Sequence, residues 1–400
     1  MNNTIIPYGK QNITKEDIEV VIAALQSDYL TQGPRIKEFE DHFANYVGSK
    51  YAVAVSNGTA ALHLCTLALG VQEGDKVITT PITFAASANC IRYCGGEVVF
   101  SDIDPSTYLL DIEKVRTLLE NSPKGTYKGI IPVDFAGRAV DLEAYRKLAD
   151  EYNLWIIEDA CHAPGGYFED SKSNIQKCGN SNFADLAIFS FHPVKHIACG
   201  EGGMVTTNDE ALYKKLLALR THGITKNESE YTNSIEFAFG QESQSLQYPG
   251  WYMEMQTLGF NYRITDFQAA LGSSQLLRAD DGLNKRRIIA SNYANAFTDL
   301  PFIKGQSGVV AGHAYHLYII EVEDRLGLYN YLKENKVFAQ IHYIPCHLMP
   351  YYKELGWKEG DFPIAESYYK GCISLPMYPT LTHEEQNIVI QLVKGFFKES

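Results

Sequence analysis

An alternation of two periodicities constrains this chain more than any other feature. Short β-branched or apolar runs at 51–55, 77–80, 98–100, 129–133, 154–157, 186–189 and 204–206 alternate, for most of that span, with segments of helical period at 60–69, 85–93, 112–119 and 142–152. A further helical segment, 212–219, follows the last run. Strands separated by helices imply parallel pairing through crossovers. The expectation is therefore an α/β fold with a mostly parallel sheet covered by helices on both faces.

The flanks read differently. Upstream, 14–26 is a predicted helix: Thr14 can cap it, Glu16 and Asp17 lie in its first turn, and Ile18, Val21, Ile22 and Leu25 share one face. An extended piece, 27–33, follows. Downstream, 227–258 is a polar, Gln- and Ser-rich stretch with aromatics at Tyr248, Trp251 and Tyr252, and a loop of that length is usually functional or disordered. Helical period returns from Arg263 through 277 and over 285–297. Strands are then expected at 316–322 and 337–343, and helices at 326–334 and 383–397. With 400 residues, 45% of them apolar, two domains are expected. The boundaries are 1–260 for a large domain and 261–400 for a smaller α+β domain.

The chemistry centres on Ser190-Phe191-His192-Pro193-Val194-Lys195, followed by Gly200-Glu201-Gly202-Gly203. Pro193 ends the preceding strand, and the glycines allow a tight return into the next one. Lys195 thus lies in a turn between two buried strands. Burial disfavours its charged form, so the amine becomes free to condense with a carbonyl. A second strand end, 154–157, carries Asp159. Pyridoxal phosphate enzymes need such a lysine for the aldehyde and such an acid to keep the pyridine nitrogen protonated.

Four motifs together, Glu158-Asp159-Ala160-Cys161-His162-Ala163, the lysine segment, its glycines, and Gly259-Phe260-Asn261-Tyr262-Arg263, resemble the nucleotide-sugar aminotransferases of pyridoxal-phosphate fold type I. The likeness runs from Tyr8 to about Leu392. Softer signals at 30–33, 133–137 and 340–343 are closest to the branch that acts in pseudaminic acid biosynthesis. The resemblance implies transfer of an amino group from L-glutamate to carbon 4 of a UDP-linked 4-keto-6-deoxy-N-acetylhexosamine, with another dTDP-, GDP- or UDP-linked 3- or 4-keto sugar as the alternative. Lys195 would then bind pyridoxal 5'-phosphate and shuttle the proton. Relatives that dehydrate sugars instead have histidine at the lysine position, so Lys195 favours transamination.

The remaining assignments combine position with this likeness. Gly58 and Thr59 stand where a strand ends and a helix begins, and the free amides there make an anion site for the cofactor phosphate. The resemblance adds the Ser190 hydroxyl. Phe84 falls on the same sheet edge and is a candidate to stack on the pyridine. By resemblance, His162 faces the phenolic oxygen, Tyr8, Leu30, Thr31, His342 and Tyr343 contact the sugar nucleotide, and Asn261 reaches the phosphate of a partner subunit. That implies a homodimer with shared sites.

Several classes are disfavoured. The balance of 35 basic against 48 acidic residues, net −13, argues against a nucleic acid or an anionic membrane as the main partner. Met1-Asn2-Asn3-Thr4 lacks the basic and apolar pattern of a signal peptide, and no apolar run approaches a membrane span. The eight cysteines are scattered, as expected of reduced thiols in a cytoplasmic protein. His192 and His196 have the spacing of helical zinc ligands, but Pro193 removes the helix, and no metal is expected.

Overall fold

Each of the seven apolar runs is a strand of one sheet. They are β1 (Tyr51–Val55), β2 (Lys76–Thr79), β3 (Glu97–Phe100), β4 (Tyr127–Ile131), β5 (Trp155–Asp159), β6 (Leu186–Ser190) and β7 (Gly203–Thr207). The structure, a computed structural model, describes residues 5–242, 244–300, 304–305 and 309–399. Met1–Thr4, on which the leader expectation rests, lie outside the described residues. The strand order is β1-β7-β6-β5-β4-β2-β3. Pairing is parallel throughout except at β7, which runs antiparallel to both β1 and β6.

Alternate residues of each strand bury on opposite faces, as the pleat requires. Val53, Val55, Ile188 and Val205 join the core under helices Gly58–Ala68, Ala86–Tyr93, Leu142–Tyr152 and Glu210–Arg220. Ala52, Ala54, Phe189 and Met204 join a second cluster beneath Pro34–Val47 and Asp266–Leu276. The helix Lys15–Leu25 has the predicted cap: the Thr14 side chain accepts from the Asp17 amide, and the Asp17 carboxylate accepts from the Thr14 amide. The helix Asp266–Leu276, which the division at 260/261 assigns to the second domain, packs against Lys15–Leu25 and Pro34–Val47. Gly272 allows this contact, since a Cβ there would meet the Phe39 ring at 2.6 Å.

A separate core lies around β8 (Lys304–Gly305), β9 (Tyr318–Glu321) and β10 (Cys372–Leu375), an antiparallel sheet covered by Ala279–Phe297, Arg325–Glu334 and His383–Glu399. One expectation fails here. The run 337–343 is not a strand but makes single bridges to two different partners, Val337 to Ile6 and Gln340 to Ser374. Divided in this way it forms no ladder, and Cys372–Leu375, which carries no strand signal of its own, pairs with β9 instead. The polar stretch 227–258 holds a turn of 3-10 helix at Glu228–Glu230 and a short helix at Ile235–Phe239. It folds around Glu254, whose carboxylate accepts from the Thr232 and Asn233 amides and the Tyr252 hydroxyl. All eight cysteines are free, and no helix among the described residues is long and apolar enough to cross a membrane.

Candidate active site

A cavity of about 750 Å³ opens over the carboxyl ends of the strands, where open α/β sheets place their ligands. Tyr8, Gly58, Thr59, Phe84, Asp159, His162, Ser190, Lys195, His342 and Tyr343 all line it. Residues as far apart in sequence as 8 and 343 meet there because β1, β2, β5 and β6 end on the same side.

Lys195 sits on the turn between β6 and β7, where its amide donates to the His192 carbonyl at 2.8 Å. Its side chain is half-buried at the cavity wall, and burial pushes its pKa down. Cys161 and Asp159 oppose that shift, and the Arg286 guanidinium reinforces it. Asp159, 4% exposed, closes β5. The Ser87 hydroxyl donates to its Oδ2 at 2.7 Å and the Cys161 amide to its Oδ1 at 3.1 Å, so the carboxylate is held in one orientation. Behind it lies a buried acid cluster. Desolvation raises Asp134 to about 7 and Glu158 well above the ordinary carboxyl range. With Cys178 they form a group of ligand-like spacing among the described residues, although two neighbouring carboxyls that share a proton account for it equally well.

The anion site is better built than the sequence indicates. The helix Gly58–Ala68 is capped by Asn57, not Thr59: Asn57 is extended and its Oδ1 accepts from the Ala60 amide at 2.8 Å. That leaves the first amides of the helix facing the cavity. Gly58 lies so close to Ser190 that a Cβ would meet its Cβ at 3.0 Å, and Gly203 passes the Asn57 carbonyl where a Cβ would come within 2.6 Å. A dianionic phosphate fits this cradle, Lys195 reaches the same space, and a fixed carboxylate closes it. The residues present therefore fit pyridoxal phosphate.

On the opposite wall, His162 Nδ1 accepts from the Ala136 amide at 3.2 Å, which places the ring proton on Nε2. Nε2 then donates to the Tyr343 hydroxyl at 3.2 Å. His342 pairs through Nδ1 with the Ser374 hydroxyl at 2.9 Å, and burial depresses its pKa to about 3. Phe84 is 62% exposed, its ring 6.3 Å from that of Tyr343.

Three predicted residues do not line this cavity. Leu30 is 52% exposed, Thr31 is bridged to Thr265, and Asn261 is exposed with its backbone bridged to Thr221. The helix near Asn261 begins later than expected, at Asp266, because Thr265 and Gln268 form its capping box. Other residues line the site that the sequence did not assign to it: Ser87, hydrogen-bonded to Asp159, Tyr262 of the 259–263 motif with its hydroxyl 3.1 Å from His63 Nδ1, and His316 beside Lys195. Each depends on long-range placement.

Comparison with known proteins agrees with this geometry. Residues 11–394 match the DegT/DnrJ/EryC1/StrS aminotransferase family. The chain is 38% identical to the spore coat polysaccharide biosynthesis protein SpsC of Bacillus subtilis, covering 99% of this chain and 98% of that protein. It is 34% identical to the UDP-4-amino-4,6-dideoxy-N-acetyl-beta-L-altrosamine transaminase of Campylobacter jejuni, covering 96% and 94%. The structure superposes on Helicobacter pylori PseC, an aminotransferase involved in the biosynthesis of pseudaminic acid, with a TM-score of 0.86 at 28% identity over 99% of this chain and 100% of that one. Solved structures similar to this chain include PLP and PMP forms. The chain belongs to the DegT/DnrJ/EryC1/StrS aminotransferase family, whose members are pyridoxal-phosphate-dependent sugar aminotransferases.

Proposed function

We propose that the protein aminates carbon 4 of a UDP-linked 4-keto-6-deoxy-N-acetylhexosamine with L-glutamate as donor, a step of pseudaminic acid biosynthesis. The observation that carries the reading is the meeting of Lys195, Asp159 and the Gly58–Ser190 cradle in one cavity with room beyond them. Bound pyridoxal phosphate supplies an electron sink for the carbon that loses its proton. Lys195 anchors the cofactor aldehyde. Once displaced by the amino donor, its neutral amine moves the proton between the substrate carbon and the cofactor's methylene carbon, in opposite directions in the two half-reactions. Asp159 keeps the ring nitrogen charged. The amides at 58 and 59 and the Ser190 hydroxyl hold the phosphate, and Phe84 covers the ring. His162 orients Tyr343 through its Nε2 proton and stands against the phenolic oxygen of the cofactor.

Tyr8, His342 and Tyr343 line the space left for the sugar nucleotide. Asn261 serves the phosphate site of a second copy, so the working unit is a homodimer. The chain divides into a large cofactor domain, 1–260, and a small domain, 261–400, and works in the cytoplasm. A second reading, amination of another UDP, dTDP or GDP 3- or 4-keto sugar for a polysaccharide, is favoured by the 38% identity to a spore coat polysaccharide protein. A panel of keto-sugar nucleotides with glutamate, scored by product mass, decides between them. Turnover is expected for the UDP 4-keto sugar and lost in Lys195→Ala; conversion of only the other sugars would establish the second reading.

A further inference from the structure

The chain goes to some length to place one histidine against Lys195. His316 is 5% exposed, lines the cavity, and brings Nε2 to 3.5 Å from Lys195 Nζ, the outer limit of a hydrogen bond. Its ring lies 4.2 Å from that of His162 and 5.8 Å from that of His196. Three devices hold it there. Tyr315 adopts φ 47°, a conformation unfavourable for a bulky side chain. Gly137 lets this backbone approach, since a Cβ there would lie 2.8 Å from the Tyr315 nitrogen and 3.0 Å from the His316 nitrogen. The fully buried Arg286 guanidinium donates to the Tyr315, His316 and Met377 carbonyls at 3.2, 3.2 and 3.0 Å. Strain of this kind persists where surrounding structure enforces it, and it concentrates at functional sites.

The ring's other nitrogen decides its tautomer. His316 Nδ1 is buried without a hydrogen-bond partner. A buried N–H donor with no acceptor is the costlier orphan, so the proton resides on Nε2 and Nδ1 is bare. An Nε2–H can donate to the lone pair of a neutral amine and cannot pair with an ammonium, which has none. The other charged or titratable groups around this pair are His162, His196, His342 and Arg286, with Asp159 and Cys161 also facing Lys195. Burial and the cationic neighbours, Arg286 among them, keep His316 itself neutral.

Resting on the aminotransferase reading above, we propose that His316 is a positioning residue for Lys195: its Nε2 proton is donated to the lysine nitrogen and selects the neutral amine whenever Lys195 is free. The contact is weak in this geometry, and one neutral hydrogen bond shifts the equilibrium by up to about tenfold, or about one pH unit.

The test uses the cofactor-free protein, so that no assumption about the sugar enters. Labelling of Lys195 by trinitrobenzenesulfonate is followed against pH by peptide mass spectrometry in the wild type, His316→Phe and His316→Gln. His316→Phe keeps a ring beside His162 but has no proton to give, and its labelling midpoint is expected to rise by about half to one unit. His316→Gln, whose amide can donate, is expected to restore most of the wild-type midpoint. A midpoint that is unchanged or lower in His316→Phe overturns the proposal. Should that variant fail to fold, 15N NMR of the wild-type imidazoles decides: an Nε2-protonated His316 supports the assignment, and an Nδ1-protonated one overturns it. Loss of aminotransferase activity on every sugar with these results intact would refute the function without touching the pairing.

Discussion

A methyl group at position 58 tests the phosphate cradle. In Gly58→Ala the new Cβ would lie 3.0 Å from Ser190 Cβ, 3.4 Å from Ser190 Oγ and 3.5 Å from Cys161 Sγ. Ser190 closes β6 and cannot retreat far. Crowding of this kind costs about 1–3 kcal/mol, while replacing glycine in a helix returns about 0.5–1 kcal/mol. The net loss of fold stability is therefore small, about 0–2.5 kcal/mol. The effect on the cofactor is larger. The methyl crowds the cradle and turns away a hydroxyl that serves a dianion, a bond of about 1.5–3 kcal/mol, so affinity should fall roughly tenfold to a hundredfold. Tryptophan fluorescence during titration of the apoprotein with pyridoxal phosphate measures this, with thermal unfolding as the control. Ser190→Ala, which removes the hydroxyl without adding bulk, should weaken binding by a similar factor. A Gly58→Ala protein that folds normally and binds the cofactor with wild-type affinity would show that the phosphate is held elsewhere.

Asp159→Asn keeps an acceptor for the Cys161 amide, and the Ser87 hydroxyl can turn to accept from the new amide, but the charge is gone, so both half-reactions should slow by orders of magnitude in stopped-flow absorbance; near-normal rates would assign the role to another group. Mixing Lys195→Ala with Asn261→Ala subunits should regenerate one intact site per heterodimer, and heterodimers no more active than the separate mutants would confine Asn261 to its own chain. Acid should destabilise the apoprotein: His162, His196, His313, His316 and His342 all have lowered folded pKa values, about 3 for His313 and His342. Below about 6.5 the unfolded chain binds more protons, at up to ~1.4 kcal/mol per pH unit for each histidine. Asp134, raised to about 7, and Glu158, also raised, act in the opposite sense, stabilising the fold as pH falls below their folded values, but are fewer. A urea midpoint that does not fall between pH 7.5 and pH 5.5 would contradict the burial of these rings.

The parallel sheet was legible because its strands are short apolar runs between helices, and Lys195 and Asp159 were legible because each follows such a run. What the sequence concealed depends on distance along the chain. Nothing local marks β7 as antiparallel, and that reversal sends the turn carrying Lys195 back over the strand ends. Asn57, not singled out in the sequence, caps the helix because its extended backbone aims Oδ1 at the Ala60 amide. Ser87 lies one helical turn past Phe84 and becomes informative only when β5 brings Asp159 within hydrogen-bond reach of it. His316 is 121 residues from Lys195, and the devices that join them, a left-handed Tyr315, Gly137 and a buried Arg286, have no local signature. Val337–Tyr343 has the composition of a strand and fails as one because its partners lie on two different segments.

The most direct test of the central claim is chemical. The purified protein is loaded with pyridoxal phosphate, reduced with borohydride, digested, and its peptides are weighed. The expected result is a single modified peptide carrying the cofactor on Lys195, with none in Lys195→Ala and none in wild-type protein first converted with excess glutamate. Attachment to another lysine, or no attachment in protein that binds the cofactor, would contradict the assignment of Lys195.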